Sequence, residues 1–384
     1  MKGFLPEKQP LQEYSFTSSA SLNRLQEIAD RLPKLLLTSR LPKTIGSLQK
    51  DDLAIPDLLA SNSEQDLQLA MVQLSFIAHA LVLGGPKPIQ VIPEVIAKPW
   101  VQLSQHLGRP PVLSYASYCL ENWFLIEDQE EISPENVGLI TNFLAGVDED
   151  WFVTIHVCIE NAASDAVNAA GLIANCSETS DPADVRALLD RICQSLLQVN
   201  HIFSRMPERC DPYIYYHRVR PFIFGSKDNP EFADGLVFEN QFANKPQYFR
   251  GETGAQSSII PSLDGALGIK HKQDSLRHYL NEMRNYMPPA HKAFIEKVET
   301  TSQVRDLVSQ SSIMTDSYNS CLEQLRIFRS MHLNYADLYI HQQAQKTNPF
   351  GTGGSTITGT GGTPFMSYLK KHRDETAKQK KYSN

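Results

Sequence analysis

The side chain best placed to do chemistry is His332. Through the stretch FRSMHLNYADLYI, residues 328–340, and Leu325 just before it, Leu325, Phe328, Tyr335 and Tyr339 fall at multiples of three- and four-residue steps and define the apolar face of a helix. His332 lies within that face. An imidazole there is either a core histidine bonded to a carbonyl or a nitrogen ligand for a metal or a haem iron. Arg329 sits one turn earlier on the same side. A buried guanidinium requires an anion, which a carboxylate such as Asp264 or a haem propionate would supply. A second histidine, His156, shares a face with Phe152, Ile159 and Ala163 in DWFVTIHVCIENAASDAVNAAGLIAN, residues 150–175. The small residues of that run would admit a flat macrocycle or simply a neighbouring helix. Two buried histidines on two helices suit a haem held between them, bound non-covalently because no C-x-x-C-H motif is present.

Other chemistries find less support. The remaining histidines form no H-E-x-x-H or comparable metal pattern, and no G-x-S-x-G elbow marks a serine hydrolase. The six cysteines lie far apart without a C-x-x-C pair, which predicts reduced thiols and no zinc site. The segment TNPFGTGGSTITGTGGTP, residues 347–364, carries G-T-G-G twice but lacks the lysine and spacing of a phosphate-binding loop. It reads as a mobile lid or a linker. A formal charge of −7 argues against a general nucleic-acid partner. The start, MKGFLPEKQPLQEYSF, has no apolar core of signal-peptide length. The apolar run at 69–85 contains Gln73 and His79 and reads as a buried helix, so no membrane role and a cytoplasmic location are expected.

These groups must be positioned by helices. With 384 residues, 41% hydrophobic and 21% charged, the chain can bury a sizeable core. Asp181-Pro182 opens a helix through DPADVRALLDRICQSLLQVNHIF, and Ser133-Pro134 predicts another through SPENVGLITNFLAG. Pro288-Pro289 separates DSLRHYLNEMRNYM from PAHKAFIEKVE. Alternating strand patterns are scarce, so an all-α protein is expected. Residues 1–105 read as a small N-terminal helical domain, with a turn-rich stretch at 84–100 leading to a large helical domain at 106–384. Residues 211–262 are irregular and suit a pocket wall.

The blocks NPEFADGLVFE (229–239), FRGETGAQSSIIPSLDGALGI (249–269), LNEMRNYMPPAHKAFIEKVE (280–299), LRIFRSMHL (325–333) and GTGGTPFMSYLK (359–370) resemble, in order, the signature blocks of the indoleamine 2,3-dioxygenase family. The resemblance covers roughly the last 270 residues, from PPVLSYASYCLENW onward. It implies an all-α fold whose large domain encloses haem b, with a flexible Gly/Thr-rich loop at 347–363. It also implies insertion of O2 across the indole C2–C3 bond of L-tryptophan to give N-formylkynurenine, with an electron donor keeping the iron ferrous. By carry-over, His332 is the proximal iron ligand, and Arg329 with Asp264 is the buried pair beside the haem. Arg220, preferred to its neighbour Arg218, contacts the substrate carboxylate. Tyr215, Tyr115 and Phe152 line the pocket, Thr253 and Gly254 lie over the haem edge, and Thr360 belongs to the closing loop.

The chain departs from the mammalian pattern. His156 stands where mammalian members carry serine and resembles the distal histidine of tryptophan 2,3-dioxygenases. As the catalytic candidate it would accept the indole N–H or steady bound O2, a substrate-positioning role rather than that of an essential base. Tyr215 replaces the usual phenylalanine, and the FRGETGAQSS loop differs from the glycine-serine version. Two other readings remain: a haem enzyme acting on another indole without kynurenine formation, and a non-enzymatic haem-binding protein.

Overall fold

Asp181 shows how the expected helices arise. Its carboxylate accepts from the Ala183 amide at 2.8 Å, Pro182 occupies the first turn, and the helix runs Pro182–Ser204. Val185, Leu189, Ile192, Leu196, Val199 and Phe203 form its buried stripe. That stripe packs along the helix Ser312–Ala336, through Met314, Cys321, Leu322 and Leu325. Asn200 and Cys321 stitch the pair polar-side, donating to the carbonyls of Gln324 (3.1 Å) and Leu189 (3.1 Å). His332 therefore rides on a helix anchored over most of its length.

This computed structural model describes residues 3–15, 19–61, 63–345 and 365–381. Among them, strands are confined to four two-residue segments: Val91–Ile92 pairs in parallel with Val237–Phe238, and Phe124–Leu125 antiparallel with Val137–Gly138. The fold is all-α, as expected. Asp274 caps Ser275–Met283, and Pro289–Thr301 follows the double proline. Among the described residues one apolar helix, Glu64–Leu83, is long enough to cross a membrane, but 89% of its most apolar window is buried inside the protein. The residues Leu67 to Val82 of that helix join a first core with Trp100, Tyr118, Trp123 and Phe143. A second core surrounds the helices that carry the histidines.

Two local expectations are corrected. Residues 133–146 form turns and a strand, with no helix. Asn136 is the physical reason: its side chain exchanges hydrogen bonds with the Glu127 amide and carbonyl, at 2.8 and 3.0 Å, which closes a turn in place of helical bonding. The buried Glu149 carboxylate then takes the Phe143 and Leu144 amides at 2.9 and 2.8 Å. The turn-rich stretch 84–100 ends early, because the helix Glu94–Leu107 begins inside it and carries Pro99 internally.

The irregular region is held by a backbone crossing. Lys227 donates to the Phe249 carbonyl at 2.9 Å and Glu252 to the Ile223 carbonyl at 3.0 Å. Gly225 and Gly251 meet there: a Cβ on Gly225 would lie 2.2 Å from the Gly251 nitrogen, and one on Gly251 would lie 2.3 Å from the Ile223 oxygen. Neither chain can accept a methyl group without moving. Gly225→Ala should therefore cost about 1–3 kcal/mol or more. A fall in Tm by calorimetry checks this, and an unchanged Tm would show that the crossing yields freely.

Candidate functional site

The helix Val147–Ala162 turns Phe152 and His156 away from its buried neighbours and into a cavity of about 330 Å³, a size typical of small-molecule sites. Phe152 stacks on Tyr215 with centroids 4.6 Å apart, and Tyr115 meets His156 edge-on at 5.9 Å. His156 Nδ1 lies 2.7 Å from the Phe152 carbonyl. A carbonyl only accepts, so Nδ1 carries the proton; with burial holding the ring pKa below its ordinary value, Nε2 keeps a free lone pair. The alanine run beyond Ile159 serves a different purpose. Ala163, Ala166, Ala169, Ala170 and Ala174 are buried between helices in the second core and do not line the cavity.

His332 faces the same cavity from the Ser312–Ala336 helix, flanked by Phe203 and Phe328 at 6.2 and 6.3 Å. Burial, aided by the nearby His156, pushes its pKa down to about 4, so the imidazole is neutral at ordinary pH. Among the described residues neither ring nitrogen has a hydrogen-bond partner. A core histidine would normally be satisfied. One turn back, the Arg329 guanidinium grips both Asp264 oxygens at 2.8 and 2.6 Å and also donates to Thr376. Burial works against an ionised Asp264, but Arg329 and His271 prevail and hold it well below the usual carboxylate range. Arg329 lines the cavity, whereas Asp264 stands behind it.

The irregular segment supplies the opposite wall. A π-turn, Tyr215–Val219, leads into a 3-10 turn, Arg220–Ile223. Its register puts Arg220, 1% exposed, into the cavity and leaves Arg218 in solvent. The Arg220 guanidinium lies over the rings of Phe224 and Tyr216 at 4.6 and 5.2 Å. Thr253 and Gly254 line the cavity at the start of a 3-10 turn. Thr360 and the loop at 347–363 lie outside the described residues.

Two carboxylates went unremarked in the sequence. Glu160 lies one turn beyond His156 and accepts from Tyr115 Oη and Ser257 Oγ, each at 2.9 Å. The only signal for it was that helical offset. Glu252 lines the cavity within a turn of small residues, and burial raises its pKa to about 8. A raised carboxyl pKa means that the folded state holds a proton which the unfolded chain releases near pH 4.3. The stability this confers is lost as pH rises from there through about 8. Glu252→Gln should thus gain on wild type between pH 5 and pH 9, by a few kcal/mol at most. A stability difference that stays flat across that range in chemical denaturation would rule it out.

A largely apolar cavity is thus lined by a neutral imidazole from one helix and by a second imidazole and a buried guanidinium from the other walls, an arrangement able to hold a haem. Comparison with known proteins agrees. The sequence profile of the indoleamine 2,3-dioxygenase family matches residues 1–379. Indoleamine 2,3-dioxygenase 1 of Rattus norvegicus is 33% identical over 371 residues, covering 92% of this chain and 91% of the relative. The Saccharomyces cerevisiae indoleamine 2,3-dioxygenase is 29% identical over 417 residues, covering 97% and 90%. A 6-hydroxytryptophan 2,3-dioxygenase of Fusarium equiseti is 30% identical over 362 residues, covering 88% of each chain. The chain belongs to the indoleamine 2,3-dioxygenase family, and is a haem-dependent dioxygenase of indoles.

Proposed function

We propose that the protein converts L-tryptophan and O2 to N-formylkynurenine on a haem b held by His332. The observation that carries the substrate reading is Arg220, a guanidinium 1% exposed in the wall of a cavity lined mostly by rings and aliphatic side chains, with Glu252, Thr253 and Arg329 among its polar members. His332 fits the cofactor because its neutral ring, with one nitrogen lone pair, lines the cavity without a partner among the described residues. Bound haem, kept ferrous by an electron donor, supplies the iron that activates O2.

The chain's own residues orient and enclose. Arg220 receives the substrate carboxylate through two parallel N–H donors. Phe152, Tyr215 and Tyr115 pack the indole and exclude water from it. His156 Nε2, with the proton fixed on Nδ1 by the Phe152 carbonyl, accepts the indole N–H and sets the face presented to the reacting oxygen. Thr253 and Gly254 border the same space.

Product analysis decides the reading. The haem-loaded protein, given L-tryptophan, ascorbate, a redox mediator and isotopically heavy O2, should form N-formylkynurenine carrying both heavy oxygens. Parallel assays with 6-hydroxy-L-tryptophan and other indoles locate the preferred ring. Turnover of another indole without a kynurenine product would transfer the site to a different reaction, and haem binding without turnover would leave a haem-binding protein.

A further inference from the structure

Beside the Arg329–Asp264 pair, His271 and the helix Phe365–Ala377 bring three ligand-type side chains together, one of which, His372, also reaches the cavity wall. Potential donor atoms of His271, His372 and Glu375 lie within 4.8 Å of one another. His372 and Glu375 stand three residues apart and share a helix face, while His271 follows the helix Ile259–Ala266. The two imidazoles stack at 4.1 Å with their planes 19° apart. His271 Nδ1 sits 2.7 Å from Glu375 Oε2, and His271 Nε2 sits 3.1 Å from Asp264 Oδ2. Glu375 Oε1 is buried without a hydrogen bond among the described residues, and Lys371 Nζ lies 3.6 Å from it.

We propose that His271, His372 and Glu375 form a binding site for a divalent transition metal, Zn2+ in the first instance, separate from the haem iron site. Two imidazoles, one carboxylate and a water make a four-coordinate set that zinc accepts. Donors around tetrahedral zinc are roughly 3.3 Å apart, so binding opens the 2.7 Å His271–Glu375 contact slightly and brings His372 to the ion by rotation about the side chains' own bonds. The metal takes the place of the proton between His271 Nδ1 and Glu375 Oε2, and that proton leaves to solvent. His271 Nε2–H still donates to Asp264, giving the carboxylate–histidine–metal arrangement that fixes a ligand's tautomer and orientation.

The arrangement suits zinc better than the alternatives. Magnesium and calcium favour oxygen sets and keep away from paired imidazoles. Without metal, His271 bridges two carboxylates as an ordinary charged histidine, and that is the competing account of the cluster. The metal would pin the Phe365–Ala377 helix to the element that carries Asp264. Through Asp264 it would also reach the Arg329 guanidinium, one turn from His332.

The test uses the haem-loaded full chain, dialysed after exposure to Zn2+. One zinc per chain should remain, and its X-ray absorption edge should report two imidazoles and one carboxylate. His372→Ala and Glu375→Gln should each weaken Zn2+ binding by at least about tenfold, whereas His341→Ala, a histidine outside the cluster, should not. Millimolar Mg2+ should not displace the zinc. Matching circular dichroism and haem content would show that the variants are folded. Failure to retain zinc, or retention unchanged in both ligand variants, overturns the site. Because zinc content and the zinc edge are read independently of iron and of turnover, either result leaves the dioxygenase reading standing on its own test.

Discussion

The His332→Ala protein should purify with less than about a tenth of the wild-type haem and without measurable turnover, the largest effect expected of any single substitution. The ligand bond is the one strong, directional contact that a non-covalently held haem makes, and His332 is the imidazole that the Ser312–Ala336 helix delivers to the cavity with no partner among the described residues. Folding should survive. Removing a neutral ring that makes no hydrogen bond leaves no orphaned group behind, and a cavity already present gains only a little volume. Circular dichroism should therefore match wild type while the Soret band collapses. Added imidazole should refill the vacated space and restore part of the band, which a merely structural histidine would not allow. Full haem loading in His332→Ala with an unshifted Soret band would remove His332 from the iron.

How much of this could be read beforehand depends on how local each cause is. The Pro182–Ser204 helix and the Ser275–Met283 helix were readable because cap, proline and apolar stripe are neighbours in the chain. The face carrying His332 and Arg329 followed from helical period alone. Arg329's need for an anion was also readable, but only the resemblance and then the structure put Asp264, 65 residues away, against it. Failures occurred where a side chain overrode a local pattern. Asn136 closes a turn across Glu127 and defeats the Ser133-Pro134 helix start. The choice between Arg218 and Arg220 hangs on a five-residue π-turn, which no periodicity announces. Nothing in the sequence singles out Glu252, because its cavity position depends on the Gly225–Gly251 crossing. His271 and His372 are about a hundred positions apart, so no spacing rule could have joined them.

Arg220→Ala should raise KM for L-tryptophan by roughly 30-fold to several thousand-fold, the consequence of losing about 2–5 kcal/mol when one partner of a desolvated ion pair is removed. The low exposure of this guanidinium makes the upper half of that range reachable, because little water is present to replace it. Arg220→Lys should recover only part of the loss: an ammonium keeps the charge but not the planar fork, nor its contact with the Phe224 and Tyr216 rings. Arg218→Ala, in solvent, should leave KM unchanged. The decisive comparison uses tryptamine, which has the indole and the amine but no carboxylate. Wild type should bind it weakly, and Arg220→Ala should bind it no worse, so that the two losses do not add. Additive losses would mean that Arg220 supports the pocket wall without touching the carboxylate. An unchanged KM for L-tryptophan in Arg220→Ala would place the anchoring charge elsewhere in the cavity.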